Sequence, residues 1–159
     1  MVNQVAVYLI MLLIFISGSI YHFRIRKECI YPVKLTKSRT IISIITLLIF
    51  CAIAYIGGNS PKNYPIAISA SIFIISGIVG EGIHEKGIYY RPLGKGGLLM
   101  QLAKWEDIKN VKIDANKNKL ESFKLKTITI FPDQHYNSKD IEKINKYIKI
   151  KSIKMGKSR

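Results

Sequence analysis

The sequence predicts a membrane α-helical protein with three transmembrane helices, followed by a small α+β domain. Three long apolar runs fill the first half of the 159-residue chain, whereas the second half is rich in lysine. The net charge of +15 therefore lies outside the apolar runs. Such segregation is typical of chains with separate membrane and soluble parts. We predict a transmembrane region over residues 1–80 and a soluble domain over residues 81–159.

The first apolar run is close to the length that a helix needs to cross a bilayer, about 20 residues at ~1.5 Å each. The predicted helices cover residues 4–23, 41–57 and 65–80. The second and third are short for a crossing, so they would stand upright or thin the bilayer around them. The three runs contain no Asp, Glu, Lys or Arg. This argues against a transporter or proton relay, which usually needs buried charged groups.

The charges of the connecting segments predict the orientation. The loop of residues 24–40 carries six basic residues against one acid, whereas the loop of residues 58–64 carries a single lysine. Short loops rich in Lys and Arg remain in the cytoplasm. We therefore expect the N-terminus outside and the C-terminal domain inside the cell. Positive charge follows the first apolar run instead of preceding it, so a retained helix is favoured over a cleaved signal peptide.

The third apolar run contains small residues at four-residue spacing, in the pairs Ala67/Ser71 and Ser76/Gly80. Such pairs let helix backbones approach each other closely in lipid. The partner helix could belong to the same chain or to a second copy in a homo-oligomer. Both alternatives remain open at the level of sequence.

The soluble half predicts short antiparallel strands and one final helix. Lys86-Gly87 is a hairpin turn signal between two short apolar segments. Ile141, Ile144 and Ile148 fall on one face of a helix that begins after Asn137 or Ser138. Further strands are predicted over residues 98–104, 111–114, 120–126 and 128–131, with loops over 92–97 and 132–136.

Three short segments carry a resemblance to a known family: Glu81-Gly82-Ile83, Gly87-Ile88-Tyr89 and Trp105-Glu106-Asp107-Ile108. With the helices before them, they resemble bacterial membrane-anchored pleckstrin-homology-like (PH-like) domain proteins, a family of unknown function. The resemblance implies a bent antiparallel sheet capped by one C-terminal helix. It also implies that Trp105 and Ile108 belong to the structural core. It does not imply phosphoinositide binding, because fold does not fix function.

No catalytic or metal-binding pattern is visible in the sequence. His22, His84 and His135 are isolated from one another. Cys29 and Cys51 would be separated by the membrane, so neither a disulfide nor a zinc site is expected. We therefore expect no enzymatic activity and no cofactor.

The basic residues are the remaining functional signal. Near a cytoplasmic membrane surface each can gain up to ~1 kcal/mol from anionic lipid. Topology and a lysine-rich composition explain the same charges without binding, and this alternative stays open. Nucleic-acid binding is not expected, because aromatic residues are not interleaved with the charges. The candidate contacts with an anionic surface are Arg24, Arg26, Lys27, Arg91, Lys95, Lys139, Lys143, Lys146 and Lys149.

Two functional hypotheses follow from these observations. In the first, the chain is an integral protein of a bacterial inner membrane that presents a basic module at the cytoplasmic face. Its partners would be the lipid bilayer, with its anionic phospholipids, or an unknown protein or peptide. In the second, it protects the cell against a membrane-active peptide, since small basic proteins with several spans resemble some bacteriocin immunity proteins.

Overall fold

The computed structural model describes residues 4–92, 100–126 and 128–156. Within them the fold is mixed α+β, and the chain divides into two compact units. The first unit comprises residues 1–24 and 35–79, and the second comprises residues 25–34 and 80–159. The sequence analysis placed residues 25–34 in the basic cytoplasmic loop 24–40 of the region 1–80, and the structure groups them with residues 80–159.

Three apolar helices lead into the second unit: α1 (Gln4–Glu28), α2 (Lys37–Ile56) and α3 (Asn63–Val79). By length and composition, α1 and α2 are able to cross a membrane. Two of the three predicted spanning helices thus have the length and composition that a membrane crossing needs. The third, α3, has 17 residues, or about 26 Å at ~1.5 Å per residue. It begins two residues before the predicted position 65 and ends one residue before position 80, where the chain continues into a strand.

Side-chain contacts fix how the three helices pack within the first unit. The Phe15 and Phe73 rings lie 5.9 Å apart, and His22 Nδ1 lies 3.0 Å from Ser76 Oγ. From the first contact to the second, the residue numbers increase in both helices, so α1 and α3 run in the same direction. Near the start of α2, Arg39 Nη1 donates to the Ile78 carbonyl at the end of α3, at 3.0 Å. Thus α2 runs antiparallel to α3.

The small residues of α3 face the inside of this helix packing. Ala67, Ser71 and Ser76 are buried in the single chain. On α1, Gly18 lies against the Phe73 ring so closely that an added Cβ would come within 2.4 Å of Phe73 Cε2. Close packing within one chain is thus the role that the structure gives to these residues.

The second unit contains a first antiparallel sheet in the order β1-β2-β3-β4. Its edge strand β1 comes from the loop between α1 and α2. The Tyr31 and Pro32 backbones pair with Ile83 and Gly82. This strand was not predicted, because two residues that include a proline give no strand signal. The strands are β1 (Tyr31–Pro32), β2 (Gly82–His84), β3 (Gly87–Tyr90) and β4 (Gln101–Lys104).

A short 3-10 turn over Trp105–Asp107 leads into a second antiparallel sheet in the order β5-β6-β7, with β8 also paired to β6. Two predictions for this region were wrong in detail. The first strand begins three residues before the predicted position 111, and the predicted loop over 132–136 contains a short strand. The strands are β5 (Ile108–Asp114), β6 (Lys119–Leu125), β7 (Ile128–Ile130) and β8 (Gln134–His135).

The last helix, α4 (Ser138–Gly156), closes the core of the second unit. Its three predicted core residues, Ile141, Ile144 and Ile148, are buried together with residues of both sheets. The fully buried Gln134 links the strands. Its Nε2 donates to the Tyr89 carbonyl at 2.7 Å, and its Oε1 accepts from the Tyr136 hydroxyl at 2.8 Å.

Candidate functional site

The exposed side of α4 carries four lysines, which we call the lysine face of α4. Its four members are all exposed, and the isoleucines of the same helix are buried on the other side. Within the described residues, Lys139, Lys143 and Lys146 form no ion pair. The alternation of lysine and isoleucine at helical spacing produces this two-faced helix. The lysine face consists of Lys139, Lys143, Lys146 and Lys149.

A groove lies beside this face, between α4 and the segment that enters β5. Its volume is about 230 Å³. Trp105 contributes to the groove although it is only 6% exposed, and its indole N–H donates to the Glu85 carbonyl at 2.9 Å. The groove thus combines an apolar lining with ammonium groups. It is lined by Trp105, Ile108, Lys109, Asn110, Val111, Asn145, Ile148 and Lys149.

The groove brings together three residues that the sequence analysis had singled out, namely Trp105, Ile108 and Lys149. Trp105 is part of the buried core, and Ile108 packs against that core. Sequence reasoning missed Lys109 and Asn145, because only the fold places the start of β5 beside α4.

The other predicted contact residues lie on separate elements. Arg24 and Lys27 are exposed on the last turns of α1, and Arg26 is half-buried there, with Nη1 3.4 Å from the Val33 carbonyl oxygen. Positive charge at a helix C-terminus is favoured by the helix dipole. Arg91 is half-buried just after β3. The predicted contact Lys95 lies outside the described residues.

Several other lysines of the second unit are neutralised by acids. The Lys119 and Lys126 ammonium groups lie 2.7 and 3.0 Å from the carboxylates of Asp133 and Asp107. Lys104 and Lys117 likewise lie beside acids, at 3.3 and 3.7 Å. Exposed pairs of this kind contribute at most about 1 kcal/mol each. Their main consequence is that the field of the second unit is carried by the remaining lysines.

His84 and Cys29 are the buried reactive side chains of the second unit. His84 Nδ1 accepts from the Lys86 backbone N–H at 3.0 Å, and its Nε2 lies 3.8 Å from the Glu28 carboxylate. Burial raises the pKa of the Cys29 thiol to about 11, so it is protonated and unreactive at neutral pH. Among the described residues, no group of three His, Cys, Asp or Glu side chains could hold a metal ion.

No protein-family model matches this chain. No curated protein and no solved structure matches it either.

Proposed function

We propose that this chain is an integral protein of a bacterial cell membrane with three crossings and a basic, PH-like module at the cytoplasmic face. The module makes contact with the anionic leaflet through the lysine face of α4 and performs no catalysis. Two small antiparallel sheets with a C-terminal helix on their common core support the PH-like assignment.

The pairing of β1 with β2 is the observation that carries the proposal. It makes the loop after α1 part of the same folded unit as residues 80–159. A unit of this kind lies on one side of a membrane. The loop is short and strongly basic, and such loops remain in the cytoplasm. The whole second unit therefore lies on the cytoplasmic side together with the loop.

The connectivity also favours a third crossing. The segment between α1 and α2 belongs to the second unit, and so does the segment after α3. If α2 carries the chain across the membrane and away from the second unit, α3 has to bring it back. A helix of about 26 Å can do so where the bilayer is slightly thinned, at a cost of fractions of a kcal/mol per Å of mismatch.

The lysine face of α4 supplies the attraction to the leaflet. Four exposed ammonium groups on one helix side would gain up to ~1 kcal/mol each near anionic lipid. The gain falls as ionic strength rises, because the Debye length shortens. Lys109 and Lys149 beside the groove add charge next to an apolar lining, where a lipid glycerol or acyl segment would fit.

Lysine footprinting of the full chain tests both parts of the proposal. The chain is reconstituted into nanodiscs of phosphatidylcholine with or without phosphatidylglycerol, and acylation of each lysine is followed by mass spectrometry. We expect Lys139, Lys143 and Lys146 to be protected in anionic discs and to lose that protection in high salt. Lys117 serves as internal control, since it is exposed and already paired with Asp114.

Equal reactivity of the α4 lysines in both kinds of disc would rule out leaflet contact. The orientation is tested with a membrane-impermeant acylating reagent applied to intact cells. Lys62, in the turn between α2 and α3, should be modified from outside, whereas Lys139 and Lys143 should not. Modification of Lys139 in sealed cells would reverse the assigned topology.

A further inference from the structure

The solvent-facing side of the second sheet carries two rows of three side chains that cross β5, β6 and β7, and the last of them, Phe131, directly follows β7. Asn110 and Lys124 are paired across β5 and β6, and Lys124 is paired with Thr129 of β7. In the neighbouring row, Lys112 is paired with Ser122, and the same register brings Phe131 next to Ser122. These six side chains line a cavity of about 200 Å³. We call it the β5–β7 cavity.

The middle of the β5–β7 cavity is formed by a small residue with an unused hydroxyl. Ser122 is only 6% exposed, and in the part of the chain that the structure describes its hydroxyl makes no hydrogen bond. Longer side chains on both neighbouring strands rise beside it, which creates the concavity. The Ser122 oxygen is not among the fully buried unpartnered atoms of the described residues, so it is accessible from the cavity and can donate to a bound polar group.

The charge of the cavity is positive. Lys112 and Lys124 are exposed, and within the described residues neither forms an ion pair. The acids at the ends of these strands are already paired: Asp114 with Lys117, and Asp107 with Lys126. The acid next to Ser122 in sequence is Glu121, which lies at the register shift between β5 and β6 and does not line the cavity.

We propose that the β5–β7 cavity binds a phosphate group. Two ammonium groups, the hydroxyls of Ser122 and Thr129 and the amide of Asn110 offer the charge and the donors that phosphate oxygens accept. Phe131, which is 65% exposed at one side, would cover an apolar part of a larger ligand. The site goes beyond the proposed leaflet contact, since it uses no residue of α4.

The first test is a phosphate titration of the full chain in dodecyl maltoside, a detergent without phosphate. Binding of inorganic phosphate is measured by calorimetry at constant ionic strength. We expect the double variant K112Q/K124Q to bind at least about tenfold more weakly, because two charge-assisted hydrogen bonds are lost. The matched control K86Q/K104Q removes the same charge from two exposed lysines outside the cavity and outside α4, and it should bind like the parent chain. Equal weakening by both double variants would reduce the site to a diffuse field and overturn the proposal.

A second pair of variants tests the cavity itself. Ser122→Leu fills the space, whereas Ser122→Ala removes only the hydroxyl. We expect binding to be abolished by Ser122→Leu and weakened several-fold by Ser122→Ala. The fluorescence of Trp105, the only tryptophan, verifies that each variant is folded. Unchanged binding in a folded Ser122→Leu variant would contradict the proposal.

A comparison of ligands identifies the source of the phosphate. Inorganic phosphate, glycerophosphate and short-chain phosphatidylglycerol are titrated under the same conditions. Tighter binding of the lipid, lost in a Phe131→Ser variant, would identify a phospholipid headgroup, and equal binding of all three would identify a soluble phosphate. Binding of none of them overturns the proposal. Because these titrations contain no leaflet, their failure leaves the footprinting test of the α4 lysines unaffected.

Discussion

Replacing Tyr147 with Phe should stabilise the second unit. The Tyr147 hydroxyl is buried and has no hydrogen-bond partner among the described residues. Burying an unpaired hydroxyl costs about 1–3 kcal/mol in mutational series. The ring itself packs edge-on against Tyr31 and Trp105, at centroid distances of 6.0 and 6.1 Å, and phenylalanine keeps these contacts. Removing the oxygen alone should therefore raise the free energy of unfolding by about 1 kcal/mol.

The same chemical change at Tyr136 should have the opposite sign. Tyr136 is 3% exposed, and its hydroxyl donates to Gln134 Oε1 at 2.8 Å. Tyr136→Phe deletes this bond and leaves a fully buried amide oxygen without that donor. A loss of this kind costs about 1–2 kcal/mol. The two substitutions thus form a matched pair: one removes a hydroxyl without a hydrogen-bond partner, and the other removes a hydroxyl that donates a hydrogen bond.

Both variants can be compared by urea unfolding of the full chain in dodecyl maltoside. Trp105 is the only tryptophan and is buried in the second unit, so its fluorescence reports on that unit. With a slope of about 2 kcal/mol per M urea, the midpoint should rise by about 0.5 M for Tyr147→Phe and fall by about 0.5–1 M for Tyr136→Phe. Shifts of the same sign in the two variants would refute the hydrogen-bond argument.

Three further predictions concern single positions. Gly87→Ala should lower the free energy of unfolding in urea by more than about 2 kcal/mol, because its Cβ would lie 2.0 Å from a carbonyl oxygen of β4. An unchanged urea midpoint would contradict this close approach. In a Cys51→Ser variant, the Cys29 thiol should react with iodoacetamide at pH 8 on the order of a hundredfold more slowly in the folded protein than after unfolding in urea. The reason is that burial raises the pKa of this thiol to about 11. The reaction rate of the folded protein should rise as the pH approaches that value. Gly18→Ala should lower the melting temperature measured by circular dichroism, because the added Cβ meets the Phe73 ring. Adding Phe73→Leu to this variant should restore part of the lost melting temperature. If the effects of the two substitutions on the melting temperature simply add up, the contact is refuted.

The parts of the fold that depend on local periodicity could be predicted from the sequence. The buried isoleucines of α4 recur at helical spacing, and the helix begins at Ser138, as predicted from the residue types there. The helices α1 and α2 could likewise be predicted, because their apolar runs are long and uninterrupted. In these helices the sequence pattern matches the surroundings of the folded helix. The helices α1 and α2 are apolar along their whole length, whereas α4 is apolar along one face only.

The parts that depend on contacts between distant segments could not be predicted. The β1 strand has two residues and no hydrophobic alternation, and it exists only because β2 offers it an edge. His84 was isolated in sequence, yet the fold brings Glu28 to it. The two rows of the β5–β7 cavity required the register of three strands, and a shift of one residue would have sent those side chains into the core.

The pairing of β1 with β2 has a consequence for biosynthesis. Tyr31 and Pro32 leave the ribosome long before Ile83, the residue that pairs with Tyr31. The first sheet therefore cannot be completed until α2 and α3, which lie between β1 and β2 in the sequence, have been synthesised. It follows that a gene encoding only residues 82–159 lacks an edge of its own sheet. Any exchange of this C-terminal segment between proteins would have to carry the loop after the first helix with it.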